Sequence, residues 1–328
     1  MGLLQDHDAL LLDLDGTVWE GGRAIPGAVE TITESGLRTL YITNNASRSP
    51  AVVASMLRDI DLDAHDSDII TSAQAAIWMM EEECERGATV LVLGSDSFKD
   101  LVREAGYRVV DTAEEDPVAV LQGHSTETGW RELSEAALAI RAGARYFASN
   151  LDTSLPMERG LMVGNGAMVA AIECSTGVSP QSAGKPQPTM FLQGAERAGA
   201  KRPLAVGDRL DTDIEGGVAA EMDVLHVMTG VSGPQDLLRA PATRRPTFLA
   251  KDFTEAWNDA ETLRPGPQGG FQAERSGDTI TLSGGDESST FMQAVRTVLG
   301  AAWESEDTAE LSVEAQGDVA QAVVKEWW

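Results

Sequence analysis

Short apolar runs along the chain alternate with stretches whose apolar residues recur every three or four positions. Runs such as "ALLLD", "TLYIT", "PLAVG" and "VLHVM" are too short for helices and predict buried strands. They place strands at Ala9–Asp13, Thr39–Thr43, Pro203–Gly207 and Val224–Met228, with a shorter one at Pro246–Leu249. Helical periodicity falls near Gly27–Ser35, Pro50–Ile60 and Thr189–Ala198. Strand and helix signals that alternate in this way predict βαβ units and a parallel sheet.

The first three strands each run into a polar tip: Asp13 and Asp15, then Thr43 with Asn44 and Asn45, then Asp208. Ligands of open α/β sheets bind beyond the carboxyl ends of the strands, so three such tips predict an active site. Asp13 and Asp15 are like charges about 7 Å apart on one face of an extended chain. Holding them there is unfavourable unless a cation or a proton transfer requires both.

The middle of the chain, residues 87–182, predicts an αβαβ unit of its own. Strands are expected in "ATVLVLGS", "PVAVLQGHS" and "RYFASN", and helices in "DSFKDLVREAG", "WRELSEAALAIRAG" and "GAMVAAIECSTG". An inserted unit over the strand ends would serve as a lid. A Pro/Gly-rich stretch, "RPGPQGG" (264–270), reads as a linker to a tail. The tail predicts two short strands, a helix near Thr290–Trp303, a strand in "AELSVEA" and a last helix ending at Trp327 and Trp328. It is small for an independent fold and is expected to lean on the rest of the protein.

Charge narrows the partners. The 328 residues carry 52 acidic and 25 basic side chains, a formal net charge of -27, which disfavours a general nucleic-acid binder. A small phosphorylated metabolite, bound by local groups, is still allowed. Cys84 and Cys174 show no metal or redox spacing, and the four histidines form no zinc motif. With no basic leader and no membrane-length apolar run, a cytoplasmic location is expected.

Cleaving a phosphate ester needs a nucleophile, a cation, a proton donor for the leaving oxygen, and groups that hold the phosphoryl oxygens. Asp13 can attack phosphorus, and Asp15 can protonate the leaving oxygen and later deprotonate water. Asp13, Asp208 and the backbone carbonyl of Asp15 suit Mg²⁺, a hard cation with few protein ligands. A calcium loop of the EF-hand type fails, because its sixth position would be Val18 where glycine is needed. On spacing alone, Asn44 and Asn45 also fit a turn, and Trp19, Arg48 and Arg209 fit either packing or substrate contact.

Four segments in order, "DLDGT" (13–17), "TNN" (43–45), "GKP" (184–186) and "GDRLDTD" (207–213), resemble the four motifs of the haloacid dehalogenase-like phosphohydrolases. The resemblance implies that Asp13 is the nucleophile and Asp15 the acid/base. It implies that Thr43, Asn44 and Asn45 bind phosphate, and that Lys185 pairs with phosphate and Asp13. Asp208 would bind magnesium and Asp213 would orient the metal's waters; Asp211 does not match and reads as a helix N-terminal acid. The fold implied is a Rossmann-like, doubly wound parallel sheet formed by 1–86 and 183–262. It would carry an inserted α/β cap at 87–182 and a small α+β domain at 266–328.

An acid at Asp15 points to phosphate esters, since dehalogenases of the superfamily lack one there and transport ATPases carry threonine. The long insertion resembles the large-cap subgroup, which includes nitrophenyl-phosphate, phosphoglycolate, pyridoxal-phosphate and nucleotide phosphatases. Details such as "TNNASRS", "GDRLDTDIEG" and the tail are most similar to the actinobacterial glycerol 3-phosphate phosphatases. Their tail resembles part of a GCN5-related acetyltransferase, but no acetyl-CoA loop pattern occurs between 266 and 328, so catalysis by the tail is not expected. Substrate choice is assigned to the loop "NLDTSLPMERG" (150–160), through Asp152, Thr153 and Arg159. The non-enzymatic alternative is a phosphate-binding scaffold, possible as a homo-oligomer like the enzyme; it would not require Asp15.

Overall fold

The structure is a computed structural model that describes residues 2–157, 159–306 and 310–327. Trp328 and Ala309, named above in the last helix and the last strand, lie outside the described residues. The chain divides into two compact units, residues 1–40 with 194–328 and residues 41–193. The boundaries read from the sequence at 86 and 183 both fall inside the second unit.

In the first unit, strands Ala9–Leu12, Pro203–Gly207, Asp223–Val227 and Phe248–Ala250 lie side by side and parallel. Every residue of Ala9–Leu12 is fully buried, as an apolar run without alternation requires. The register pairs Leu12 with Val206 and Gly207 with His226, so the residues that follow these strands emerge along one edge. The helix predicted at Thr189–Ala198 and the strand at Pro203–Gly207 have the bounds expected.

The tail belongs to this unit. Strands Phe271–Ser276, Thr279–Gly284 and Ser312–Gln316 form a small mixed sheet backed by helices Phe291–Ala302 and Asp318–Glu326. Helix Phe291–Ala302 packs against strand Phe248–Ala250 and helix Pro234–Leu238. Its Arg296, only 5% exposed, donates to the Leu249 carbonyl and pairs with Glu255. The Pro/Gly stretch between them is pinned: Gly266 N–H donates to the Arg296 carbonyl, and Gln268 N–H to Thr297 Oγ1. The stretch read as a linker is thus hydrogen-bonded to helix Phe291–Ala302.

The second unit holds the end of strand Arg38–Thr43, which pairs in parallel with Ile69–Thr71. It also holds a five-stranded parallel sheet in the order Gln181–Ser182, Arg145–Ala148, Ala119–Gln122, Thr89–Leu93, Arg108–Val110. Helices Trp130–Arg141 and Asn165–Thr176 cover one face, and Leu91, Val120, Tyr146, Ile140 and Ile172 form the core between. Several elements depart from the sequence reading, among them strands Arg108–Val110 and Gln181–Ser182. Ile69–Thr71 leads into an unpredicted helix, Ser72–Glu81, capped by Thr71 and Gln74. The expected loop at 150–160 contains a strand, Ser154–Met157, which forms an antiparallel hairpin with Gly160–Val163.

Candidate active site

The site residues fall in two groups, one in each unit. In the first, Asp13 directly follows strand Ala9–Leu12, and its N–H still donates to the Val206 carbonyl at 3.0 Å. Asp208 directly follows Pro203–Gly207 and is fully buried. Asp213 sits in the wide helical turn Leu210–Ile214 and is 2% exposed. Ligand-capable oxygens of Asp13, Asp208 and Asp213 all lie within 4.8 Å of one another. Carboxylates gathered this closely disfavour one another unless a cation stands among them. Hard carboxylate oxygens gathered in this way suit a hard cation such as Mg²⁺.

Backbone groups hold this cluster. Val231 N–H donates to Asp208 Oδ2 at 2.7 Å, and Arg209 N–H to Asp213 Oδ2 at 3.1 Å. Gly16 has a φ of +93°, and a Cβ there would come within 2.6 Å of the Asp208 carboxylate. Glycine is therefore needed both for the turn and for the room that Asp208 occupies. His226, fully buried, has Nε2 at 3.1 Å from the Asp208 carbonyl. Burial pulls its pKa down to about 4, so at neutral pH the ring is uncharged and Nε2–H is the donor.

The Asp15 carboxylate lies outside the cluster and is exposed. Its Oδ1 accepts a hydrogen bond of 2.9 Å from Trp19 Nε1. Asp211, the acid that matched no motif, is gripped by both Nε and Nη2 of Arg209. Burial raises its pKa, but the guanidinium outweighs that and holds it below the usual carboxylate value. Arg209 is thus engaged with its neighbour on the chain.

The second group centres on Asn44. Its carboxamide oxygen accepts from Lys185 N–H at 2.9 Å, and its Nδ2 donates to the Lys185 carbonyl at 3.1 Å and to both oxygens of Asp152. The Asn44 carbonyl accepts from Ser72 Oγ and from Asn150 Nδ2. Lys185 is 3% exposed, with Nζ 3.1 Å from the Ile42 carbonyl. Gly184 lets the segment approach, since a Cβ there would meet the Ser149 carbonyl at 2.4 Å. Thr43 is buried, and its Oγ1 accepts from Asn45 N–H, while Asn45 Oδ1 accepts from the N–H and hydroxyl of Ser47.

So the Asn44 side chain, expected on phosphate, grips the backbone of Lys185, and the Asn45 side chain braces its own turn. Of the three substrate-choice residues, Asp152 joins this group through Asn44. The Thr153 carbonyl accepts from Gly164 N–H beside the hairpin, and Arg159 is exposed. Sequence reading missed Ser72, Asn150, Val231 and His226 as supports of the site. The Thr71–Gln74 capping pattern was a legible sign of the helix that carries Ser72.

Two family profiles match the chain: a haloacid dehalogenase-like hydrolase profile over residues 10–108 and a HAD-hydrolase-like profile over 182–256. D-glycerol 3-phosphate phosphatase of Mycobacterium tuberculosis is 41% identical over 99% of this chain and 95% of its own length. Acid sugar phosphatase of Staphylococcus aureus is 36% identical over 79% of this chain and all of its own length. A crystal structure of the Mycobacterium tuberculosis glycerol phosphate phosphatase with magnesium has a TM-score of 0.95, covering all of this chain and 98% of that one. A 4-nitrophenylphosphatase from Thermotoga maritima matches with a TM-score of 0.72 at 31% identity, over 79% of this chain and all of that one.

Proposed function

The chain belongs to the haloacid dehalogenase-like hydrolases and is a magnesium-dependent phosphatase of that family, and we propose that its preferred substrate is glycerol 3-phosphate. The observation that carries the chemistry is the cluster of Asp13, Asp208 and Asp213 at the strand ends. The substrate assignment is supported by the near full-length likeness to the glycerol 3-phosphate phosphatase, which takes in the tail as well. The unmatched stretch between the two profiles, 109–181, supports reading 87–182 as a cap on a core made of 1–86 and 183–262. The tail from 266 is assigned no part in phosphoryl transfer. The buried Cys84 and exposed Cys174, both free thiols, are in keeping with a cytoplasmic enzyme.

Each step has a residue to perform it. An Asp13 carboxylate oxygen attacks phosphorus, and the bond from phosphorus to the ester oxygen breaks. The departing oxygen keeps the electron pair and takes a proton from Asp15, leaving the phosphoryl group on Asp13. Water then attacks phosphorus, Asp15 accepts its proton, and the bond to Asp13 breaks to release inorganic phosphate. Lys185, steered by Asn44, and Thr43 supply positive charge and a hydroxyl for the phosphoryl oxygens. Asp13, Asp208 and the Asp15 carbonyl would hold Mg²⁺, with Asp213 behind them. When bound, that ion neutralises charge on the phosphoryl oxygens and offsets the repulsion among the carboxylates.

The test is a screen of phosphorylated metabolites ranked by kcat/KM, with and without Mg²⁺. Glycerol 3-phosphate should lead, ahead of phosphoglycolate, pyridoxal phosphate, sugar phosphates and 4-nitrophenyl phosphate. A sugar phosphate in first place would favour the reading suggested by the Staphylococcus aureus relatives. Magnesium-independent binding without turnover would leave only the scaffold.

A further inference from the structure

Asp15 has to give up a proton and then accept one, yet it is an exposed carboxylate on a short turn. The direction in which such a side chain points matters to both transfers. Four residues on, the Trp19 indole is almost wholly buried, at 2% exposure, and points Nε1–H at Asp15 Oδ1 from 2.9 Å. We propose that Trp19 is a positioning residue for phosphoryl transfer: it fixes the rotamer of Asp15 so that the carboxyl group is aimed at the departing ester oxygen. The inference rests on the phosphatase reading above and extends it to a residue outside the four motifs.

The backbone makes the contact rigid. The N–H groups of Thr17, Val18 and Trp19 all converge on the Leu14 carbonyl, and Gly16 N–H donates to the Trp19 carbonyl at 2.8 Å. A backbone bridge joins Asp15 to Trp19, and the tryptophan continues into the hairpin Trp19–Glu20 with Arg23–Ala24. The ring is thus anchored by the core, and the turn that brings it back to Asp15 passes through Gly16, whose φ of +93° suits glycine. The chemistry of the donor fits the task. An indole N–H only donates, so it can orient a carboxylate without competing for the proton in transit. It engages Oδ1 of the carboxylate.

A positioning role predicts a loss that depends on the leaving group. A glycerol alkoxide needs a proton to depart, whereas nitrophenolate leaves without one. The parameter kcat/KM covers steps up to formation of phosphorylated Asp13 and excludes its later hydrolysis. In Trp19→Phe, kcat/KM for glycerol 3-phosphate should fall about tenfold or more, the size expected for losing a hydrogen bond to a charged group. For 4-nitrophenyl phosphate it should change by less than about twofold. Benzothienylalanine at position 19 keeps the bicyclic shape and exchanges N–H for sulfur; it should behave the same way with an unchanged melting temperature. In an Asp15→Asn background the Trp19 substitution should add no further loss. Equal losses for both esters, or none for the alkyl ester, would overturn the proposal and leave Trp19 as packing alone. Wild-type protein that turns over neither ester would instead remove the phosphatase reading, and the proposal with it.

Discussion

Beyond Ala9–Leu12 and Pro203–Gly207, three carboxylates share a space of 4.8 Å; beyond Thr43, an amide, a lysine backbone and a carboxylate satisfy one another. The first group is held by backbone N–H groups and by the absence of a Cβ at Gly16, and its like charges call for a cation. The second is internally complementary, with the Asn44 side chain donating to Asp152 and the Lys185 carbonyl and accepting from the Lys185 N–H. One group is organised to await a ligand, the other to aim a residue. Substitutions should therefore fail differently in the two.

The largest effect is expected at Asp13. In Asp13→Asn the nucleophile is gone, and kcat should drop on the order of 10⁴-fold or more. The fold should persist, because one carboxylate fewer relieves repulsion in the cluster. Thermal unfolding alongside single-turnover kinetics checks both halves, and near-normal turnover in a stable protein would sink the aspartyl-phosphate mechanism.

Asp208→Asn should cost somewhat less activity, on the order of 10²- to 10³-fold, and should change the response to metal. A ligand that binds only the folded state stabilises it by about 2.7 kcal/mol at a hundred times its dissociation constant. Millimolar Mg²⁺ should accordingly raise the wild-type melting temperature, EDTA should abolish the gain, and Asp208→Asn should show little of it. The same gain in both proteins would place the metal elsewhere.

Asn44→Ala should break the second group without touching the first. Truncation strips the Lys185 N–H, the Lys185 carbonyl and Asp152 of a partner, which costs about 1–3 kcal/mol for each buried group left unsatisfied. We expect kcat/KM to fall about ten- to a hundredfold, with the Mg²⁺-induced stabilisation retained. Should that stabilisation vanish too, the two groups would not be separable as described.

The sequence revealed the first group more fully than the second. Asp13, Asp15 and Asp208 stand at the ends of apolar runs, where burial makes strand ends easy to locate, and charge repulsion there is itself a signal. The second group depends on contacts between residues over a hundred positions apart, such as Asn44 with Lys185 and Asp152. Helix Ser72–Glu81 escaped notice because "SAQAAIWMM" offers no contrast of apolar and polar faces. Hairpin pairing at 154–163 was hidden for the opposite reason. Its strand Gly160–Val163 is exposed throughout, so no buried face marks the pattern. Trp19 stood out by type, but only the turn through Gly16 shows why it faces Asp15.

The smallest effect on activity is expected from the tail, where the sharpest contrast with both groups lies in what is lost instead. Arg296 carries its charge into the interface with strand Phe248–Ala250, where the Leu249 carbonyl accepts from Nε and Nη2 and Glu255 provides the countercharge. Burial draws the guanidinium pKa down, and the charge and hydrogen bond of Glu255 beside it oppose the shift. Arg296→Met preserves much of the side chain's length and apolar stem but takes the guanidinium donors away from the Leu249 carbonyl and the Glu255 carboxylate. Breaking a buried pair on one side costs about 3–5 kcal/mol, less here because the Glu255 side chain is 25% exposed and water can reach it. We expect a melting temperature lower by several degrees, with kcat/KM for the preferred ester within about twofold of wild type at 25 °C. Glu255→Gln should lose less, since an amide still accepts from the arginine. A selective fall in kcat with the melting temperature unchanged would contradict this, because it would tie the tail to the chemistry at Asp13 instead of to the stability of the unit that carries it.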